Sequence, residues 1–354
     1  MKLKKLSLKD FRNYEERDID LGDGVTVVLG PNAVGKTNIL ESIRLVSTGN
    51  SFRASRIEEM IRFDQEWGKV EVFLDDEDDE ELKLTVMLTR GELKGKRVNK
   101  RRYMINDNGK RKKDFVGRMP SVVFRPQDLD MIEGSPYLRR GWLDDMLSQA
   151  ESGYERSLKS YNKALRRRNK ILESIREGEA SKYQLTFWDG LLIKHGQELI
   201  EKREELVGYI NEIFRKSELF SQLKLVYDKN VVSERRLDQY EKEEVAAGHT
   251  LVGPHKDDVI VLYSDTQERD LGIYGSRGEQ RMAVLGMKMG ELLFLEEKLK
   301  RVPILLLDDI FSELDEEHSS EVYRVMKGRQ AVVTTTDEER VGDFEEKRVI
   351  QLKQ

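Results

Sequence analysis

Apolar and polar positions divide this chain into three blocks. In the first, up to about residue 125, the apolar runs are short: residues 3–8 (LKKLSL), 25–29 (VTVVL), 70–74, 82–88, 103–105 and 122–124. Short runs bounded by polar residues predict strands. Asp107-Asn108-Gly109 predicts a tight turn after residues 103–105, because Asn-Gly tolerates positive φ at both central positions. The middle block changes period. Tyr154, Leu158, Tyr161, Leu165, Leu172 and Ile175 follow steps of four and three, broken only by Arg168 at the seam. Gly178 marks the end of that helix. A second apolar face, Leu191, Leu192, Leu199, Leu206, Ile210 and Ile213, runs through residues 187–216. Two such helices predict an antiparallel hairpin about 35–45 Å long at roughly 1.5 Å per residue, too short for a coiled-coil arm. After about residue 250 the strand-and-helix style returns, with buried-strand runs at 259–263, 304–307 and 331–335. No internal repeat or Pro/Ser-rich linker separates the blocks. The ends are therefore expected to form one lobe (residues 1–125 and 245–354), with a helical lobe inserted at 126–244.

The run 25–29 leads straight into Gly30-Pro31-Asn32-Ala33-Val34-Gly35-Lys36-Thr37, a full match to G-x-x-x-x-G-K-[ST], followed by a helical pattern. Each part has a physical reason. The glycines let backbone N–H groups turn toward phosphate oxygens, and the helix N-terminus points its positive end at the same anion. Lys36 can reach the β- and γ-phosphates of ATP, and the Thr37 hydroxyl can coordinate Mg²⁺. Far downstream, the apolar run 304–307 ends in Asp308-Asp309. Asp308 sits where a Walker-B acid would bind Mg²⁺, and Asp309 where an acid would polarise the attacking water. An apolar strand ending at a solvated acid pair is common by itself; the intact P-loop gives this one its meaning.

A third element, Ser276-Arg277-Gly278-Glu279-Gln280-Arg281, precedes a helical pattern over residues 282–297. It resembles the Ser-Gly-Gly-Gln signature of ABC-type ATPases, with Arg277 replacing a glycine and Glu279 added before Gln280. Ser276, Gly278, Gln280 and the helix start could grip ATP bound by a second subunit. An ordinary N-capped helix would also begin with serine. Residues 312–315 (SELD) match the D-loop of that class. Gln127 follows the strand 122–124 and is placed like a Q-loop glutamine that touches Mg²⁺ or the lytic water. The usual histidine switch is replaced by Thr334-Thr335-Thr336, so a hydroxyl would have to meet the γ-phosphate there.

Composition narrows the class. Charged residues make up 36 % of the 354 positions, against about a quarter in a typical domain, which gives a densely ionic surface compatible with heat adaptation. There are no cysteines, and four scattered histidines offer no metal cluster. No apolar run approaches the roughly 20 residues of a membrane helix, and MKLKKLSLKDFRNY lacks a signal-peptide core, so a cytoplasmic protein is expected. The net charge of −5 hides a sharp asymmetry. Residues 75–81 read DDEDDEE, whereas residues 90–118 hold twelve Lys or Arg against three acids. Lys96, Arg97, Lys100, Arg101 and Arg102, with Lys110 and Arg111 across the hairpin, form the first candidate DNA track, since phosphate binding needs clustered cations. A solvated hairpin balancing the nearby acids is the plainer explanation. Arg139, Arg140 and Arg166 to Arg168 form a second candidate.

Several longer stretches resemble the RecF family. These are residues 8–14 (LKDFRNY), 35–53 (GKTNILESIRLVSTGNSFR), Pro126-Gln127-Asp128-Leu129, Gly134-Ser135-Pro136, Arg139-Arg140, Leu143-Asp144 and Gly253-Pro254-His255-Lys256-Asp257-Asp258. The resemblance covers most of the chain. It implies an α/β fold: an ABC-type ATPase head, with a mixed lobe holding the P-loop and an antiparallel β subdomain, plus an inserted α-helical lobe. It implies an ATP-dependent homodimer that hydrolyses ATP and binds gapped DNA or single-strand/duplex junctions. It further implies work with RecR and RecO in loading RecA, and a part in the SOS response. Arg12 and Asn13, on a strand turn beside the P-loop in such heads, are expected to line the nucleotide. His255 reads as structural rather than catalytic, and His195 as a packed residue. Two departures stand out. Gln127 occupies a position where an acid is often found, and Asp309 stands where other ABC ATPases carry Glu, so slow hydrolysis is expected. An SMC-like chromosome ATPase would need longer arms. A transporter subunit would need a membrane partner, and a P-loop kinase would leave residues 276–280 unexplained.

Overall fold

The computed structural model describes residues 1–75, 81–265, 267–312, 316–337, 341 and 346–353. The acidic run and the D-loop match therefore lie largely outside the described residues. The chain forms two compact units, one of residues 1–128 and 291–354 and one of residues 129–290.

The first unit holds two large sheets. An antiparallel sheet of β1 (Lys2–Phe11), β2 (Tyr14–Asp20), β4 (Trp67–Asp75), β5 (Glu81–Thr89), β8 (Arg101–Ile105) and β9 (Asn108–Lys110) has the order β2-β1-β4-β5-β8-β9. Its strands alternate, so Leu6, Leu8, Val70, Val72, Leu84 and Val86 face one core. In β1 the register shifts between Leu3 and Lys5, and this bulge lets Leu3 and Leu6, three positions apart, both point inward. A small hairpin of β6 (Glu92–Leu93) and β7 (Lys96–Arg97) interrupts the run between β5 and β8.

The second sheet is wholly parallel: β10 (Ser121–Phe124), β14 (Ile304–Asp308), β15 (Ala331–Thr335), β3 (Val25–Leu29) and β16 (Lys347–Gln351), in that order. Its inner strands are nearly continuous apolar runs because both faces are covered. Helix α1 (Lys36–Thr48) follows β3. Its Ile39, Leu40 and Ile43 are fully buried in the core shared with the antiparallel sheet and with Leu306 and Val332. Gly49 ends the helix at φ 70°, the left-handed conformation that glycine tolerates, and its N–H closes on Leu45. Short α2 (Lys112–Phe115) and α11 (Glu316–Met326) complete this unit.

The second unit is mostly helical: α3 (Asp130–Glu133), α4 (Pro136–Ala150), α5 (Ser152–Arg176), α6 (Thr186–Lys216), α7 (Glu234–Gln239), α8 (Glu241–Ala247) and α9 (Leu271–Tyr274). Helix α10 (Arg277–Leu299) begins in it and runs into the first unit's segment. Helices α5 and α6 span about 37 and 46 Å at ~1.5 Å per residue. They run antiparallel, because Ser157 meets Glu198 while Arg168 meets Asp189.

Two sequence expectations change here. The helical unit continues past residue 244 to Gly290, because β11 (Leu223–Asp228), which follows α6, pairs with β12 (Asp258–Ser264) and through it with β13 (Glu268–Asp270). The β8–β9 turn also sits earlier than Asn108-Gly109. Asn106 and Asp107 carry the positive φ values, 47° and 64°, and Asn108 already pairs with Ile105. Asn and Asp both tolerate this region, so several registers were open and the strand pairing decided.

Arg168 explains its own break in the apolar seam. Its guanidinium is buried, donates to Asp189 at 2.6 Å and to Thr250 at 2.9 Å, and pairs with fully buried Glu244 at 2.7 Å. Removing one partner of a buried pair leaves an uncompensated charge, which costs about 3–5 kcal/mol. Arg168→Ala is expected to lower unfolding stability by about that amount in urea titration. Adding Glu244→Gln should recover part of the loss. An unchanged midpoint in the single variant would contradict this role.

Candidate functional site

The loops after β3, β10 and β14 leave the same, C-terminal edge of the parallel sheet, where open α/β sheets hold ligands. They line one cavity of about 460 Å³ with Asn32, Ala33, Gly35, Lys36, Thr37, Asn38, Arg53, Pro126, Gln127, Asp308 and Asp309. Ala33 (φ 64°) and Gly35 (φ 113°) take left-handed conformations within the loop. A side chain at Gly35 would also strike the Asn13 amide and the Tyr14 hydroxyl, since a Cβ there would lie 2.7 and 2.8 Å from them. The Lys36 ammonium is largely buried and donates to the carbonyls of Gly30 (2.8 Å) and Pro31 (3.0 Å). Burial lowers its pKa from the ordinary lysine value, opposed by the nearby charges of Asp309 and Asp308.

Thr37 donates its hydroxyl to Asp308 Oδ1 at 2.9 Å. Thr334, opposite Asp308 on β15, donates to the same oxygen at 2.8 Å. The Asp309 amide in turn donates to the Thr334 carbonyl and hydroxyl, both at 3.1 Å, across a left-handed turn at φ 51°. A hydroxyl and a carboxylate in contact beside a phosphate-binding loop fit Mg²⁺, which takes one or two protein oxygens and completes its shell with water and phosphate. Among the described residues no cluster of three or more His, Cys, Asp or Glu could hold a metal without such help. Gln127 reaches the cavity from a 3₁₀ turn (Pro126–Leu129). The turn is pinned by Arg125, which donates to Asp128 at 2.8 Å and stacks on Phe52.

Several sequence expectations move. Arg12 and Asn13 do not line this cavity; they border an adjoining one of about 860 Å³. Arg12 occupies the two-residue β1–β2 turn at φ 56°, and bidentate bonds of 2.8 and 2.6 Å to buried Glu41 hold it there. Asn13 braces the loop by donating to the Val34 carbonyl. Of the three threonines, the Thr334 hydroxyl is fully buried on the acid pair and that of Thr335 bonds the Asp337 backbone, which leaves exposed Thr336 as the hydroxyl able to face a γ-phosphate. Asn38 and Arg53, 2.9 Å apart, line both cavities and were absent from the sequence candidates. Arg53 lay inside the family-like stretch 35–53, but nothing in spacing distinguished it.

In the second unit, Ser276 and Gly278 are exposed at the start of α10. Ser276 and Glu279 form a reciprocal cap. Glu279 accepts the Ser276 N–H (2.8 Å) and hydroxyl (2.9 Å), and Ser276 accepts the Glu279 N–H (3.3 Å). The extra glutamate thus fixes the helix start, helped by Arg269. Gln280 is 3 % exposed and donates to the Leu271 carbonyl, so it cannot face a ligand as Ser276 and Gly278 can. Ile273 and Tyr274, just ahead of Ser276, are 70 % and 68 % exposed.

The Gly253–Asp258 stretch is a structural network. Buried Asp257 accepts from Arg203 (3.0 Å), Tyr227 and the Asn230 amide. Arg139 grips Asp258 through two bonds, and Arg140 donates to the Asp257 carbonyl. With Arg168 also buried, the second basic candidate is mostly internal framework. His255 accepts the Tyr161 hydroxyl at Nδ1 (2.7 Å) and donates from Nε2 to the Thr250 carbonyl (3.1 Å), a pattern that requires the neutral ring. His195 sits against Ser157 and Glu198.

The first basic candidate is also partly used inside the fold. On β8, Arg101 and Tyr103 face α1, and Arg101 donates to the Gly49 carbonyl at 2.5 Å. Lys100 pairs with Glu58, and Arg111 with Asp114. Lys96, Arg97, Arg102 and Lys110 are exposed and have no ion pair among the described residues.

A P-loop and an acid pair on a parallel sheet, backed by an antiparallel sheet, define an ATPase head of the ABC and SMC type. The family model described as the RecF/RecN/SMC N terminal domain matches residues 2–354. The DNA replication and repair protein RecF of Cyanothece sp. strain PCC 7425 is 36 % identical, covering 95 % of this chain and 92 % of that protein. RecF of Thermoanaerobacter sp. strain X514 is 33 % identical over 97 % and 96 %. A solved RecF–ATP structure, from a recombination mediator of the RecFOR pathway, superposes with a TM-score of 0.84 at 29 % identity, covering 96 % of this chain and 93 % of that one. An SMC head from Pyrococcus furiosus shares the fold at 18 % identity and a TM-score of 0.52. The chain belongs to the RecF family.

His255 gives a pH test of the second unit. Burial, reinforced by Lys256, Arg140 and Arg168, pushes its pKa from 6.5 down to about 4, against the pull of the Thr250 carbonyl. Below pH 6.5 the unfolded chain takes up a proton that the folded chain refuses. Stability is therefore lost as pH falls from 6.5 to about 4, by about 3 kcal/mol in total. Urea unfolding at pH 7 and pH 5 should show a smaller loss in His255→Gln than in the unaltered chain. Equal losses would contradict the assignment.

Proposed function

We propose that the chain is an ATP-dependent DNA-binding protein of recombinational repair, a weak ATPase whose nucleotide site is completed by a second copy. The observation that carries this reading is the contact between Thr37 and Asp308, with Lys36, Gln127 and Asp309 around the same cavity. The family relationship supports it, and relatives are named for DNA replication and repair and for the RecFOR pathway.

The residues divide the work by chemistry. The loop amides of residues 32–37 and the N-terminus of α1 hold the phosphates. Lys36 exchanges its carbonyl partners for phosphate oxygens. Thr37 and Asp308 hold Mg²⁺, with Gln127 as a further oxygen. When bound, the ion neutralises phosphate charge and aligns the terminal phosphoryl group. Asp309 orients the attacking water. Its short side chain leaves that water less closely held than a glutamate would, which makes turnover slow.

The second copy supplies the exposed Ser276 turn, whose serine, Gly278 amide and helix start face solvent beside Ile273 and Tyr274. A phosphate grip carried by an exposed turn favours pairing driven by ATP. Lys96, Arg97, Arg102 and Lys110 are the DNA-contacting cations, with gapped or single-strand/duplex junction DNA as the substrate. RecR is the direct partner, with RecO and RecA downstream in the SOS response. No helix among the described residues is long and apolar enough to cross a membrane.

Sedimentation velocity with ATP and gapped DNA, at several salt concentrations, tests the reading. The unaltered chain should pair and retain DNA, and Lys36→Met should do neither. Replacing Lys96, Arg97, Arg102 and Lys110 with Gln should leave ATP-driven pairing intact. It should flatten the salt dependence of DNA binding by roughly 0.9 in log–log slope for each phosphate no longer neutralised. Pairing without nucleotide, or an unchanged salt slope, would contradict the respective half.

A further inference from the structure

Asp308 is held from two sides by hydroxyls with different surroundings. Thr37 lines the cavity, so its lone pairs remain open to a cation while its proton stays on Asp308. Thr334 lies behind the acid, fully buried on β15, and does not border the cavity. Its hydroxyl has two bonds with different senses. It donates to Asp308 Oδ1 at 2.8 Å and accepts the Asp309 N–H at 3.1 Å. One oxygen atom therefore bridges the two acids.

The bridge meets a local difficulty. Asp309 turns at φ 51°, a region costly for a non-glycine residue. The turn persists because its N–H is anchored on Thr334, through both the carbonyl and the hydroxyl. On the other side, an ionised carboxylate with no second donor could rotate about χ2 and present either oxygen. The Thr334 proton removes that freedom. Valine has the same shape but neither donates nor accepts, whereas serine keeps both functions and loses only a methyl group.

We propose that Thr334 is a positioning residue for the Mg²⁺ site, acting through Asp308 and Asp309 rather than on the nucleotide. This rests on the reading of the cavity as an ATP site. Partners that orient a metal ligand through hydrogen bonds typically contribute 10–100-fold to metal affinity or activity.

The test titrates Mg²⁺ calorimetrically into the full chain preloaded with a non-hydrolysable ATP analogue, and separately measures analogue binding without Mg²⁺. Thr334→Val should bind the metal-free analogue as the unaltered chain does. It should bind Mg²⁺ about 10–100-fold more weakly, with a matching rise in the Mg²⁺ needed for hydrolysis. Thr334→Ser should restore both. An unaltered Mg²⁺ affinity in the valine variant overturns the role. So does a serine variant with weakened Mg²⁺ affinity, because it keeps the hydroxyl to which the role is assigned; that arm can overturn the role even if the valine variant fails to fold. Failure of the unaltered chain to bind the analogue at all would overturn the nucleotide reading, and this role with it.

Discussion

Thr37 and Asp308 are 271 positions apart in the chain, and their side chains meet at 2.9 Å. That contact places demands on nearly every element of the first unit. β3 and β14 must belong to the same parallel sheet, with β15 between them, so that both acid and hydroxyl emerge at one edge. The start and end of the chain must fold into one core although residues 129–290 form a unit of their own. Helix α1 must begin at a fixed distance from the sheet, because a hydroxyl one turn away would miss the carboxylate.

The antiparallel sheet supplies that rigidity by bracing α1 at three places. Asn13 and Tyr14 press on Gly35 and the loop carbonyls at its N-terminal end. Arg12 clamps Glu41 in its middle. Arg101 and Tyr103 meet the Gly49 carbonyl at its C-terminal end, where a cation also complements the helix dipole. Helix α1, whose N-terminus faces the cavity, is thus a rod held at both ends and in its middle. Arg101 is thereby drawn from the basic stretch into the fold.

What the sequence disclosed follows from how local each feature is. The P-loop, the apolar strand ending in Asp308-Asp309 and the helical hairpin are contiguous patterns, visible without pairing distant residues. Gln127 was legible from its place after a strand. Arg168 was visible as an anomaly but not explained, since its partners Asp189 and Glu244 come from other helices. Arg12 was assigned to the nucleotide because the turn does lie beside the loop; its burial against Glu41 is a tertiary fact. Chain order alone leaves Thr334, Thr335 and Thr336 equivalent as the hydroxyl that would meet a γ-phosphate. Only the register Asp308 to Thr334 shows that its hydroxyl faces sideways to the acid. The second unit's boundary at Gly290 was hidden for the same reason, being set by the pairing of β11 with β12.

The most direct test of the account is a double-mutant cycle on Thr37→Val and Asp308→Asn, read as the factor by which Mg²⁺ tightens binding of an ATP analogue. If the two side chains act as one cation site, each single change abolishes most of the Mg²⁺ effect. The double variant is then hardly worse than either, a coupling on the order of 0.5–3 kcal/mol. Additive losses would mean that they act independently, and that the contact on which the first unit converges is not where the ion binds.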